Sequence, residues 1–337
     1  DESFGPLGIK TASLFLGMVT IAVLIGLGTT LITISGIHPT SHGLINFNEQ
    51  EAFAAFQNII FKLVPVNIFA ALSQGEMLGL ILFSLIFGFY IPKVDNGDFL
   101  LKVFNGIFEI MMKITKTVMK ALPIGVFGLM AKVFATTGVE SIKSIGVFFF
   151  IVLLALAIHA LIALPLLLKI LAGVSPYKHY KEMAPALLTA FSTSSSAATL
   201  PLTIECVEKG AGVSSRISNF ILPLATALNL SGTALYVCVS ALFICHSYGV
   251  DLSFGLQLLI VMMSIITSFG MAGVPSASLV TIMLILNAAN VPTEGVALIM
   301  AVERILDMFR TVVNVLGNTC STVIIAKSEG EAHVFST

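Results

Sequence analysis

The sequence predicts an all-α polytopic membrane protein, and three observations carry that prediction. Of 337 residues, 57% are hydrophobic and only 10% are charged, with a mean hydropathy of +1.02. A soluble domain of ordinary composition carries about 25% charged residues, too many to match here. Second, long stretches lack charge altogether: residues 144–168 contain none, enough for one helical crossing at about 20 residues per span. Third, the apolar blocks are continuous rather than alternating, which excludes the dyad pattern of a transmembrane β-barrel. The chain has room for about seven or eight crossings plus loops. A net charge of −1, from 17 basic and 18 acidic residues, excludes a nucleic-acid binder, which needs a basic surface. There is no Walker, GxGxxG or HExxH motif, so neither an enzyme built on those sites nor a bound cofactor is expected.

The elements follow in order. Residues 11–34 suit one crossing, and the loop 35–48 holds no Lys or Arg. Residues 53–72 read as a shorter, half-apolar helix, and 77–91 as an apolar helix ending at Pro92. In 99–135, Lys102, Lys113, Lys116 and Lys120 punctuate an apolar pattern, as in an amphipathic helix at a membrane surface followed by a crossing from Pro123. Residues 144–168 form the cleanest span. Basic residues cluster at 93–120, 169–181, Lys209, Arg216 and Lys327, whereas loops 35–48, 247–255 and 290–295 have none. The positive-inside rule places the first set in the cytoplasm and the second outside. The first apolar block is too long for a signal peptide, and a start at Asp1 fits an N-terminally trimmed form. Cys206, Cys238, Cys245 and Cys320 form no CxxC pair and lie in or beside apolar segments, as packed free thiols do.

Three later apolar segments are broken by small and polar residues: 184–204 at 192–196, 217–248 at 229–233, and 256–289 at 268–275. Such clusters can serve close helix packing alone. Three in succession beside a charged span point instead to a transporter site, because non-helical backbone at membrane depth must be buried in protein or line a cavity. The charged span is 296–326, which carries Glu303, Arg304, Asp307 and Arg310. At 100° per residue, Glu303, Asp307, Arg310, Asn314 and Asn318 share one helix face with Thr311 at its border. Intramembrane ionisable groups face a cavity or one another. Asp307 can hold an ammonium, Arg310 can fork onto a carboxylate, and Thr311 and Asn314 add neutral hydrogen bonds. That is a site for an amino acid with an acidic side chain. The alternative is an Asp307–Arg310 pair that only cements helices. His159, midway along its span, reads as a buried neutral histidine bonded to a backbone or hydroxyl group, with a proton relay as the other option.

These residues resemble the glutamate transporter family, the dicarboxylate/amino acid:cation symporters. Thr189-Ala-Phe-Ser-Thr-Ser-Ser-Ser-Ala-Ala-Thr-Leu-Pro201 resembles its serine-rich first hairpin. Asn229-Leu-Ser-Gly-Thr-Ala-Leu-Tyr236 resembles its Asn-Met-Asp-Gly-Thr signature, Ala272-Gly-Val-Pro275 the tip of its second hairpin, and Leu306-Asp-Met-Phe-Arg-Thr-Val-Val-Asn-Val-Leu-Gly-Asn318 its substrate-binding last helix. The resemblance implies the glutamate-transporter fold: two re-entrant hairpins, a homotrimer in the inner (cytoplasmic) membrane, and a transport domain that moves as an elevator, gated from outside by the second hairpin. The family has about two more N-terminal helices, so the chain is expected to start at the third. Residues 1–98 would then mix scaffold and trimerisation helices with one transport-domain helix (about 9–35), and 99–173 would hold the scaffold fifth and transport-domain sixth helices. Residues 174–337 would form the transport core: first hairpin about 184–211, broken seventh helix about 217–248, second hairpin about 256–289, eighth helix about 296–327. Carried over, Arg310 with Thr233 binds the side-chain carboxylate and Asp307 the ammonium of L-glutamate or L-aspartate. Thr311 and Asn314 support the substrate, and Ser195, Ser196 and the backbone near Val274 cup the α-carboxylate.

Departures from the family pattern fall on its cation positions. Two aspartates of sodium-coupled members are Ser231 and Asn318 here. A Tyr and a Thr-Ser pair are replaced by Phe15, Met18 and Val19, and a hairpin threonine by Met271; Asn229 and Ser268 complete the set. Hard cations prefer charged oxygen ligands, so no metal is expected, and proton symport without sodium is. The glutamate that animal members carry after Thr-Ala-Leu-Tyr is Val237. Glu303 and Asp307 are the proton-carrier candidates, since burial favours a neutral carboxyl group; Glu303 as a structural partner of Arg304 stands beside that. The rivals are a sodium-coupled, neutral amino acid or C4-dicarboxylate carrier of the same fold, and an anion channel or sensor.

Overall fold

The computed structural model describes residues 4–35, 61, 64–74, 77–120, 124, 127–128, 131, 140–269, 277–331 and 333–335. Among them all regular structure is helical: α1 (Phe4–Ile34), α2 (Ile68–Gln74), α3 (Met77–Tyr90), α4 (Gly97–Met119), α5 (Glu140–Ile158), α6 (Leu164–Ala172), α7 (Pro176–Thr193), α8 (Ser196–Glu205), α9 (Ser215–Leu228), α10 (Ser231–Ser247), α11 (Phe254–Ser268), α12 (Ala277–Ala288) and α13 (Val296–Ser328). Within the described residues, four stretches are long and apolar enough to cross a bilayer: Leu7–Ile34, Lys143–Ala172, Ser215–Ser247 and Ile299–Ser328. The expected loop 35–48 and the crossing after Pro123 lie mostly outside the described residues.

The centre of the molecule is α10, buried along almost its whole length from Ser231 to Ser247. A helix apolar on all sides has no other stable place. The helix α1 lies along it, with Gly26 at the contact, where a Cβ would come within 3.2 Å of the Leu235 carbonyl oxygen and of Val239. Lipid gives apolar helices no hydrophobic reason to associate, so this close approach supplies the dispersion contact that holds them. The helices α5, α11, α12 and α13 also pack on α10, and the Phe148 ring meets Tyr236 edge-on and Phe243 at a tilt.

Two of the predicted breaks are resolved, each narrower than expected. The first hairpin turns at Ser194, which is left-handed (φ 50°), and at extended Ser195, whose side chain caps α8 by accepting from the Ala198 N–H at 3.2 Å. Its first arm begins at Pro176, well before the expected 184. Lys178, Lys181 and Glu182 in the first turns hide the helix from an apolar count, while Pro176 at the first helical position favours it. The second break is Asn229 and Leu230 alone, with non-helical ψ of 63° and 51°. The core of the third, residues 270–276 with Met271 and Val274, lies outside the described residues. The helices α5 and α6 are joined by a π turn, His159–Ala163, in which the Leu164 N–H reaches back to the His159 carbonyl. Pro165 follows, and its missing N–H is the local cause.

Candidate functional site

The last helix, α13, supplies the charged groups. Its 3.6-residue period stacks Glu303, Asp307 and Arg310 on one side, where α10 and α12 meet it. Arg310 is 3% exposed, and three hydrogen bonds direct its two terminal nitrogens. Nη2 donates to Glu303 Oε1 at 3.0 Å and to Asp307 Oδ1 at 2.6 Å, and Nη1 donates to Ser278 Oγ at 2.9 Å. Its guanidinium lies 4.3 Å from the centre of the Tyr236 ring, a cation–π contact strengthened by desolvation. Glu303 in turn accepts from the Tyr236 hydroxyl and, at 3.1 Å, from Ser278 Oγ. Leaving either charge of such a buried pair without its partner costs about 3–5 kcal/mol.

The two carboxylates differ in access. Glu303 is enclosed, whereas the Asp307 side chain keeps 18% of its surface. Arg304, 59% exposed, approaches Asp307 at 3.9 Å. The expectation that Glu303 partners Arg304 is therefore corrected: one residue along a helix is 100° around it, and Arg304 points outward while Arg310, seven residues on, returns to the same face. The Asp307–Arg310 ion pair is present, as the helix-cementing alternative required. Asp307 nonetheless stays open, and three further groups hold Arg310 from the buried side.

The break in α9–α10 is fastened to the same helix. Asn314 Oδ1 accepts from the backbone N–H of Gly232 at 2.9 Å and of Thr233 at 3.3 Å, and its Nδ2 donates to Thr233 Oγ1 at 2.9 Å. A Cβ on Gly232 would come within 2.9 Å of the Arg310 carbonyl oxygen, so this approach needs glycine. Both ends of the Asn314 amide thus serve the break, and Thr311 Oγ1 donates to the Asp307 carbonyl at 2.8 Å. The first hairpin reaches this region through Phe191, edge-on to Phe309 at 5.2 Å. Ser195 and Ser196 are partly buried at its turn, and Ser194 Oγ is buried without a hydrogen-bond partner among the described residues.

Of the expected cation positions, Met18, Asn229, Ser231 and Asn318 come together beside α13, next to the charged groups, and Met271 lies outside the described residues. Phe15, Met18, Val19, Asn229, Ser231, Ser268 and Asn318 are all buried. Ser231 Oγ meets His159 Nε2 at 3.3 Å, which gives His159 the hydroxyl partner expected of it. The Asn229 amide reaches Met18 Sδ at 3.8 Å. With its amide turned to suit its neighbours, Asn318 donates to the Asn229 and Asn314 carbonyls at 3.2 and 3.1 Å. Ser268 Oγ donates to the Ile265 carbonyl. All four cysteines are buried free thiols.

Residues 1–328 match the sequence profile of the sodium:dicarboxylate symporter family. The chain belongs to that family. Its members are membrane symporters and not enzymes. Among relatives, a proton/glutamate-aspartate symporter of Escherichia coli is 34% identical over 343 residues, covering 97% of this chain and 77% of that protein. A proton/sodium-glutamate symport protein of Bacillus subtilis is 34% identical over 98% of the chain and 78% of that protein. Excitatory amino acid transporter 3 of mouse is 44% identical over 254 residues, 75% of the chain and 49% of that protein. The chain thus spans about half the length of the mouse relative.

Two residues of the site escaped the sequence reading. Tyr236 stands in its motif without an assigned role, and Ser278, inside the expected second hairpin, is not singled out by the sequence. Neither leaves a signal in periodicity. A hydroxyl in an apolar run declares its partner only through tertiary contact.

Proposed function

We propose that this protein imports acidic amino acids, L-glutamate or L-aspartate, by proton symport without sodium, as a homotrimer whose transport domain moves as an elevator. The observation that carries the substrate class is Arg310 held from behind by Glu303, Ser278 and Tyr236 and facing the accessible Asp307. The substrate carboxylate takes the guanidinium edge that Asp307 occupies, and Asp307 turns to the ammonium. Thr233 and Thr311 flank that exchange, while Ser195, Ser196 and the backbone near Val274 receive the α-carboxylate.

The coupling ion follows from charge. With Arg304 counted as an exposed charge at the rim of Asp307, the inner groups Glu303, Asp307 and Arg310 sum to −1, and a bound glutamate makes −2. Relatives that couple to sodium would balance this with cations; here Ser231 and Asn318 offer no carboxylate to hold them. A proton restores the balance, and Glu303 is the residue we assign to it. Its hydroxyl partners Tyr236 and Ser278 donate to a carboxylate and accept from a carboxylic acid equally well, whereas Asp307 needs its charge for the ammonium. Competition of glutamate uptake by aspartate, serine and succinate tests the substrate assignment. Aspartate should compete strongly and the other two weakly; strong displacement by succinate would rule out the ammonium role of Asp307, and by serine the carboxylate role of Arg310.

A further inference from the structure

We propose that residues 329–331 and 333–335 form a strap that fastens the base of the first hairpin, the end away from its turn at Ser194, and that Glu331 is the latch of this strap. These residues lie beyond the stretch 1–328 that matches the family. The sequence itself turns the chain into place. Gly330 is left-handed (φ 84°), its N–H reaches the Lys327 carbonyl at 3.1 Å, and the Glu331 N–H reaches the Ala326 carbonyl at 3.1 Å. That pair of bonds around a glycine stops a helix and redirects the chain. At the stop, Glu329 pairs with Lys10 of α1 at 2.8 Å.

Glu331 then meets the start of α9. Its Oε2 accepts from the Ser214 N–H at 3.0 Å, and its Oε1 accepts from the Ser214 hydroxyl. Ser214 directly precedes the helix, and its side chain makes no cap bond of its own. In many helices a glutamate at the third position reaches back to that N–H. The third residue of α9 is Ile217, which has no such group, so Glu331 does this work from the strap, with its charge at the positive end of the helix. Residues 333–335 lie across both hairpin arms. The Phe335 N–H donates to the Ala211 carbonyl, just past the second arm, at 2.9 Å. Its ring stands edge-on to His179 of the first arm at 5.9 Å, with Lys178 Nζ 5.8 Å from the ring centre. Val334 is 1% exposed, in the apolar cluster that also holds Ala211, Val213 and Ala326. Gly212, at φ 76°, permits the approach, since a Cβ there would come within 3.0 Å of the His333 carbonyl oxygen. The strap thus ties α13 and α9 to the bases of both arms. Helices carry a displacement from one end to the other as stiff units, so a held base fixes where Ser195 and Ser196 stand at the turn. That last consequence for substrate rests on the acidic amino acid reading above; the strap does not.

Hydrogen exchange of the full chain in lipid nanodiscs tests the strap. Glu331→Gln keeps the shape of the side chain and removes its charge. It should speed exchange of the amides of residues 211–218 about tenfold, as expected when one hydrogen bond to a charged group is weakened. Deletion of residues 331–337 should speed it further and extend the effect to residues 176–183. Wild-type exchange in the deletion variant overturns the strap, and wild-type exchange in Glu331→Gln overturns the latch. Glutamate binding by the same samples, read by titration calorimetry, should weaken several-fold in the deletion variant. Faster exchange with wild-type affinity overturns the link from the strap to the hairpin turn. A wild-type protein that binds neither glutamate nor aspartate overturns the acidic amino acid reading instead, and the exchange result still decides the strap.

Discussion

Arg310 carries more of this site than any other residue, and its surroundings say why lysine would not do. Its planar fork addresses Glu303 and Asp307 through one nitrogen and Ser278 through the other, over the face of Tyr236. A lysine offers a point charge without that plane. Arg310→Lys should weaken glutamate binding by at least about a hundredfold, measured by titration calorimetry, because several bonds to a buried charge are lost together. At Glu303 the expectation concerns protons. If Glu303 is the carrier, the proton-loaded form binds substrate, so apparent glutamate affinity tightens as pH falls and weakens as it rises. Glu303→Gln removes the carrier we propose; its glutamate exchange should persist with a flat pH profile and without net uptake under a proton gradient. An unchanged wild-type pH slope in that variant would move the assignment to another residue.

The helices show what the sequence makes legible and what it hides. The last helix, expected at 296–327, is Val296–Ser328, because its apolar period is regular and its charges share one face. The break at Asn229 was visible since Asn, Ser and Gly interrupt an otherwise apolar run. The start of α7 was not, as charged residues in its opening turns mask a helix that Pro176 begins. Nor did the sequence identify the partner of Glu303, for Arg304 is adjacent in the chain and only helical geometry excludes it. The fastening of the broken segment by Asn314 yields a test at this scale. Gly232→Ala places a methyl group 2.9 Å from the Arg310 carbonyl oxygen, and overpacking of this kind costs about 1–3 kcal/mol. Thermal unfolding in detergent should show the loss, with weakened substrate binding because Thr233 and Asn314 shift together. Unchanged melting would mean that the close approach is not maintained.

At the scale of the molecule, charge is scarce and placed. From residue 183 to 302 the chain carries six charged side chains, and then Glu303, Arg304, Asp307 and Arg310 follow within eight residues. Among the described residues, the expected cation positions beside that cluster are Phe15, Met18, Val19, Asn229, Ser231, Ser268 and Asn318, buried and with no carboxylate among them. That arrangement underlies our proposal of proton rather than sodium coupling, with Glu303 of the substrate cluster held by the Tyr236 and Ser278 hydroxyls and by Arg310. Oligomeric mass in detergent or nanodiscs should correspond to three chains. The most direct measurement is glutamate uptake into proteoliposomes with proton and sodium gradients imposed separately. The account predicts concentrative uptake under an inward proton gradient in sodium-free buffer, and none from a sodium gradient alone. Uptake that required the sodium gradient would contradict it.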